Sequence, residues 1–443
     1  QPNMEEGGDC SLSNGCALLG RGAPNSAELR SFNRGLRWMC LDQSSAWKTA
    51  LSWSVFFLLV VVSPLITHFF YVCLDCDESH RRPYDSVVQC SLSAIAALSF
   101  ACLSGFIRKY GLRKFLFLDK LKDESDMVRE GYTQQIRRSM TLLSFCVLPC
   151  FAAVSAYKIW WYSSGATDIS YWGNIFVSDL MACTLQLSSW LYRTSIFFFV
   201  CSLFRLICYL QILRMEEFAQ VFQKEFDVGA ILSEHLRIRK NLKIISHRFR
   251  VFIVLTLLFV TASQLASLLM TTRSSANVNI YKAGELALCS ISLVSGIIIC
   301  LRSATKITHR AQAVTSLAAK WHVCATINSF DSADAETPTL QVASTTMFPV
   351  GTEWSEDECG DDDVDSTNVV PIHAHTISFQ KRQALVTYLE NNRAGVTVFG
   401  FVLDRSYLHT IFGVQLSLVL WLLSKTVGHS LAFSMINPAA PSL

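Results

Sequence analysis

Long uncharged blocks dominate the pattern along this chain, in place of the short alternations typical of soluble helices and strands. Seven of them come close to or exceed the roughly 20 apolar residues that an α-helix needs to cross the hydrocarbon of a bilayer. They are Ala50–Tyr71, Val87–Ile107, Met140–Tyr157, Leu180–Ile212, Val251–Met270, Ala283–Leu301 and Ser406–Leu423. The fourth is too long for one perpendicular crossing, yet neither Gly nor Pro interrupts it. It therefore predicts one long tilted helix that runs on past the hydrocarbon. The pattern predicts an all-α membrane protein with seven transmembrane helices.

Between the blocks, apolar residues recur at helical spacing in four stretches: Gln211–Phe226, Ala230–Phe249, Ile307–Val323 and Ile377–Tyr388. At 1.5 Å per residue, extensions of about 15–20 residues reach roughly 25–30 Å beyond the bilayer. Burying their stripes against one another extends helices 4–7 into a cytosolic anchor bundle; the alternative lays each flat on the membrane as a basic amphipathic helix. Ala325–Ile372 differs in kind. It has no Lys or Arg, is rich in Ser, Thr, Asp and Glu, and includes the acidic run Glu356–Asp363. Too little apolar surface is present there to offset the entropy of ordering, which predicts a disordered acidic linker. The expected plan is a flexible cytosolic segment at 1–47, six spans with helical extensions at 48–324 and the linker at 325–372. A cytosolic helix with the seventh span follows at 373–429, and a short non-cytosolic tail at 430–443.

Charge sets the orientation. The N-terminal segment and the loops after the second and fourth blocks carry 22 Lys and Arg, against six on the opposite side outside the long sixth-to-seventh connection. The positive-inside rule puts the N-terminus in the cytosol and the C-terminus on the far side. With 51% hydrophobic and 16% charged residues, the chain is solvated by lipid, and a net charge of +3 gives no footing for a nucleic-acid partner. Residues 1–47 hold no cleavable signal pattern, so the first span is expected to act as its own insertion signal, with the plasma membrane preferred to an internal one. Most of the 16 cysteines lie inside apolar blocks, where thiols pack as small hydrophobes. Cys73 and Cys76 fall in a non-cytosolic loop, where a disulfide is chemically permitted.

No Walker loop, HExxH, GxSxG or intramembrane carboxylate pair is present, so no enzyme, cofactor or metal site is expected. The His373-Ala374-His375 pair is read as part of the linker rather than as a metal site. Ionisable residues inside spans carry functional hypotheses by default. Arg193 and Arg205 of the fourth block project about 120° apart on an ideal helix and do not share a face. Trp160, Trp161 and Tyr162 end the third block as an interfacial aromatic belt, with Lys158 reaching out to the interface. Tyr157, Trp160, Trp190, Arg193 and Tyr281 are candidates for a small-molecule pocket in the outer half of the bundle. On the seventh block, Asp404, Leu408, Ile411, Gln415, Leu418, Val419, Leu422, Thr426 and His429 lie within about 60° of Gln415 at 100° per residue. That face is polar at its ends and apolar between, apart from one amide, as a pore with a dewetting gate requires. A second stripe carries Thr410, Gly413, Ser417, Ser424 and Gly428, small residues that permit close helix packing. The residues alone leave a packed core helix and a pore-lining helix both open.

The run Gly400-Phe401-Val402-Leu403-Asp404-Arg405, then Leu408-His409-Thr410-Ile411-Phe412, then Leu418 to Gly428, resembles a plant family of seven-span proteins of unknown function. That family is distantly similar to insect gustatory and odorant receptors, which are tetrameric ligand-gated cation channels. The insect receptors carry a Thr-Tyr pair in the last span with a Gln seven residues after the Thr. Here Ile411 stands in place of the Tyr, and Gln415 follows Thr410 by five. The resemblance implies a homotetrameric cation channel in membrane lipid, with a small molecule as candidate gating ligand and Asp404, Leu408, Ile411, Gln415, Leu418, Val419, Leu422 and Thr426 lining the pore. The alternatives are a non-conducting seven-span receptor or scaffold, and a transporter. Against the transporter stand an odd span count, no visible repeat, and only Pro64 and Pro149 inside spans.

Overall fold

The computed structural model describes residues 45–70, 84–110, 126–163, 175–224, 228–272, 280–331, 379–392 and 394–436. Seven of its helices are long and apolar enough to cross a membrane, one for each expected block. The first span is helical from Ala46 to Phe56, π-helical over Phe57–Val62 and helical again over Ser63–Phe70. The second is Asp85–Tyr110, the third Asp126–Ser163, the fourth Ile175–Lys224, the fifth Val228–Thr272, the sixth Ile280–Asp331 and the seventh Arg405–Ile436. The third begins fourteen residues before its apolar block, because the intervening stretch offers Val128, Tyr132 and Ile136 at helical spacing and buries all three. The sixth runs seven residues into the expected linker; the rest of that linker and the N-terminal segment before Ser45 lie outside the described residues.

The chain divides into two compact units. The first takes Gln1–Arg214, Asn241–His309 and Gly395–Leu443. The fourth span is its core: 89% of its most apolar stretch is buried. A helix apolar on every side must be covered on every side, and Ile196–Phe204 reads IFFFVCSLF, almost without a polar break. The sixth span approaches it closely at Gly296, where a Cβ would collide with the Phe197 ring. The seventh span is the opposite case, with only 17% of its apolar stretch buried. Before it stands a short antiparallel hairpin, β1 (Thr397–Val398) and β2 (Phe401–Val402). Hydroxyls on two neighbouring helices hold it: the Thr397 N–H donates to Ser246 Oγ at 3.1 Å and the Val396 N–H to Thr308 Oγ1 at 3.4 Å.

The second unit takes Met215–Lys240 and Arg310–Ala394. It holds the extensions of the fourth, fifth and sixth spans together with the short helix Phe379–Asn391. Their apolar stripes face each other, burying Phe218, Ile231, Ile238, Ala318, Trp321, Leu385 and Leu389. His235 meets the Tyr388 ring edge-on at 5.7 Å, and the Arg239 guanidinium donates to Asn392 Oδ1 at 2.8 Å. The four stretches therefore form a bundle rather than four surface helices. The seventh span differs from the fourth, fifth and sixth in being separated from its bundle helix by the hairpin.

The Gly296 contact gives a stability prediction. Because Phe197 is almost fully buried, its ring has no open space to swing into. Gly296→Ala is expected to destabilise the purified protein by about 1–3 kcal/mol, the usual cost of overpacking. Thermal unfolding in detergent, compared with Gly284→Ala, where a Cβ meets nothing within 4 Å, checks it; equal melting of the two variants would contradict it.

Candidate functional site

A proline sets the geometry of a polar pocket inside the first unit. In the π-helical turn, the Ser63 N–H bonds Leu58 O, five residues back. Pro64 has no N–H, so it can serve neither Leu59 O in that register nor Val60 O in the ordinary α-register. Hydrocarbon cannot satisfy a carbonyl left this way, so a neighbouring helix must. Ser189 of the fourth span donates to Leu59 O, and Ser93 of the second donates to Val60 O at 2.9 Å.

Arg193 joins the same network. Its Nη1 donates to Ser93 Oγ at 3.2 Å and to Gln89 O at 3.5 Å, and its Nε to Ser189 O at 3.3 Å. A fully buried ion pair, Lys158 Nζ to Glu285 Oε2 at 2.9 Å, links the third and sixth spans beside it. Ser63, Pro64, Thr67, Gln89, Lys158, Gln186, Ser189, Trp190, Arg193 and Glu285 surround a cavity with about 10 Å³ of room for water centres, about one water's worth. Several buried polar atoms on its wall make no hydrogen bond: both amide atoms of Gln186, Gln89 Oε1, Glu285 Oε1 and Trp190 Nε1. The wall thus offers more donors and acceptors than its own bonds use, the equipment for orienting a small polar guest.

Trp190 and Arg193, two of the expected pocket residues, meet here. Tyr157 is half-buried and Trp160 exposed, with their rings 6.2 Å apart on the third helix, and neither lines the cavity. The side chain of Tyr281 lies outside the described part of the chain. Sequence reading missed Gln186 and the Lys158–Glu285 pair; the signal for the pair was an acid at the start of the sixth block and a base at the end of the third. Lys158 turns inward to Glu285 instead of reaching the interface. Two of the three belt aromatics also turn inward: Trp161 and Tyr162 pack on Ala182 and Cys183, leaving Trp160 outside.

On the seventh span, the expected pore face lies largely within the protomer. Gln415, Val419 and Leu422 are buried, and Leu408, Ile411 and Leu418 are half-buried. The Gln415 amide donates to Thr261 Oγ1 of the fifth span at 2.8 Å, and Gln264 donates back to Gln415 O at 3.5 Å. Asp404 is half-buried at the helix start, where its carboxylate accepts the Arg405 N–H at 2.7 Å. The side chains of Thr426 and His429 lie outside the described part. The exposed face carries Ser406, Thr410, Gly413, Ser417, Leu420 and Ser424, alternating steps of four and three residues.

A family model described as protein of unknown function (DUF3537) matches residues 27–414. No curated protein matches the sequence. Among solved structures, the insect olfactory receptor OR5 from Machilis hrabei is similar at 10% identity with a TM-score of 0.49, covering 86% of this chain and 90% of that one. The same receptor in complex with eugenol gives 11% identity and a TM-score of 0.47 over the same shares.

The ion pair makes a separable prediction. Removing one partner leaves an uncompensated charge in hydrocarbon, so Lys158→Met or Glu285→Leu alone should cost roughly 3–5 kcal/mol. The double variant should recover most of that loss. Melting of the three purified variants tests this; a double variant no better than the worse single one would show that the pair is not the coupled unit described.

Proposed function

The chain belongs to the DUF3537 family of proteins of unknown function, and we propose that it is a homotetrameric cation channel gated by a small molecule in the pocket of the first unit. The observation that carries this reading is one stripe of small and hydroxyl residues on the outward side of the seventh span, flanked by exposed Phe412, Val414 and Leu416. Ser417 projects about 160° from Gln415 at 100° per residue, so the hydroxyl stripe lies almost opposite the face packed on the fifth span. A helix side turned away from its own protomer meets either lipid or other copies. Lipid favours large apolar side chains, whereas this stripe is Ser, Thr and Gly apart from Leu420. Such residues suit a helix that closes on its equivalents around an axis and offers hydroxyls to a narrow aqueous path. The resemblance of the last span to the plant seven-span family supports the same architecture.

In this arrangement the axis-facing stripe is Ser406, Thr410, Gly413, Ser417, Leu420 and Ser424, while the Gln415 face holds the helix to its own protomer. Leu420 is the apolar constriction. The guest is small with hydrogen-bonding groups, matching Gln186, Trp190 and Glu285, and its entry widens a cavity that here has room for about one water.

Native mass spectrometry of the purified chain is expected to give a tetramer, and planar bilayers containing it a cation-selective current. Cysteines replacing Thr410 or Ser417 should react with charged methanethiosulfonates and lose most of the current, while one replacing Gln415 should not. Reaction only at the Gln415 position would return the pore to that face. A monomer without current would replace the channel with the scaffold reading.

A further inference from the structure

We propose that the hairpin β1–β2 is an interfacial wedge that binds anionic phospholipid in the cytosolic leaflet, seating its phenylalanines among the lipids and its flanking arginines on phosphate. The turn itself raises the question. Phe399 and Gly400 form its tip with φ of +48° and +93°. A two-residue turn with positive φ at both positions is a type I′ turn, which favours Asn, Asp or Gly at the first position because a larger side chain there is strained. Phe is a poor choice for the backbone, and the ring does not compensate by burial. Phe399 is 57% exposed and Phe401 69%, with Val402 and Tyr407 exposed beside them. Strain at a solvent-facing aromatic points to something outside the chain that takes the ring.

Depth identifies that partner. The Arg250 guanidinium lies over the Phe399 ring, 5.0 Å from its centroid, and Arg250 is the last residue before the apolar block of the fifth span. Arg405, exposed, is the last residue before the apolar block of the seventh. Both span ends lie on the side that the basic residues assign to the cytosol, so the hairpin is held at headgroup level from two directions. Exposed aromatics next to arginines at that level match the two layers they meet, acyl carbons and phosphates. The cytosolic leaflet carries anionic lipid, which each arginine favours.

The full-length protein, with Phe401 replaced by p-benzoylphenylalanine, tests this in vesicles of equal parts phosphatidylcholine and phosphatidylglycerol. Position 401 is exposed, so the replacement leaves the fold intact. Illumination is expected to give lipid adducts, phosphatidylglycerol exceeding phosphatidylcholine severalfold. Arg250→Ala with Arg405→Ala should equalise the two lipids, and Arg250→Lys with Arg405→Lys should restore most of the preference. Equal labelling of both lipids from position 401 with Arg250 and Arg405 unaltered would overturn the headgroup assignment. Cross-linked chains in place of lipid adducts would overturn the wedge and make the hairpin a contact between copies.

Discussion

Pro64 removes one N–H from a helix that has to cross hydrocarbon, and the polar interior of the first unit is arranged around the carbonyls it leaves. An unsatisfied backbone group in lipid costs several kcal/mol, so in the register of the Ser63 bond Leu59 O needs a donor from outside its own helix, and Val60 O receives one as well. Ser189 and Ser93 supply them, which fixes the second and fourth spans against the first at one height. Once Ser93 is placed, its oxygen is available to Arg193, and an arginine that would be prohibitive on an isolated span becomes part of a network. Gln89, Ser93 and Ser189 each hold Arg193 through an oxygen, so the guanidinium has little freedom to turn elsewhere.

That network accounts for a cavity wall more polar than its own bonds require. The Lys158–Glu285 pair offsets two buried charges against each other, which by itself gives little net stability. Glu285 keeps a second oxygen unbonded, and Gln186 bonds through neither end of its amide. Each such group costs about 1–3 kcal/mol where nothing meets it. A membrane protein that needed only a packed interior would have Leu or Met at position 186. Retaining an amide next to Trp190 and Glu285 makes sense when the pocket spends part of its time occupied by water or by a hydrogen-bonding guest.

The spans were legible because their signal is one-dimensional: a block of about 20 apolar residues declares itself without reference to anything else. The bundle helices were legible for the same reason, since Phe218, Ile231 and Leu385 fall at helical spacing. Whatever depended on pairing across the chain was not. Lys158 and Glu285 are 127 residues apart in sequence, and neither has a partner within its own helix that would announce the pair. Trp161 and Tyr162 read as a belt because aromatics at a boundary usually face lipid, but the fourth span lies within reach and takes both. The seventh span showed two stripes whose composition was readable and whose direction was not. The partners of Gln415 within the protomer, Thr261 and Gln264 of the fifth span, could not be read from its own stripe. The hairpin was hidden by its own irregularity, since Phe-Gly occupies turn positions where Asn-Gly would have announced it.

The contrast between the fourth and seventh spans bears on assembly. Both are strongly apolar, yet one is almost wholly covered and the other scarcely at all. Composition on the exposed surfaces separates the cases further. The first span presents Phe57, Leu58 and Leu65 outward, and the third presents Phe145 and Leu148, all side chains that lipid solvates well. The seventh also exposes Phe412, Val414, Leu416 and Leu420, but beside them runs a stripe of Ser406, Thr410, Gly413, Ser417 and Ser424. Their hydroxyls turn back onto their own helix where bonds are described, Thr410 to Ser406 O at 3.0 Å and Ser417 to Gly413 O at 2.7 Å. The stripe therefore tolerates a dry neighbour while remaining able to rotate toward water. On the proposed reading, that dual character is what a gate needs: closed, the small residues let four helices approach; open, the same hydroxyls face the path.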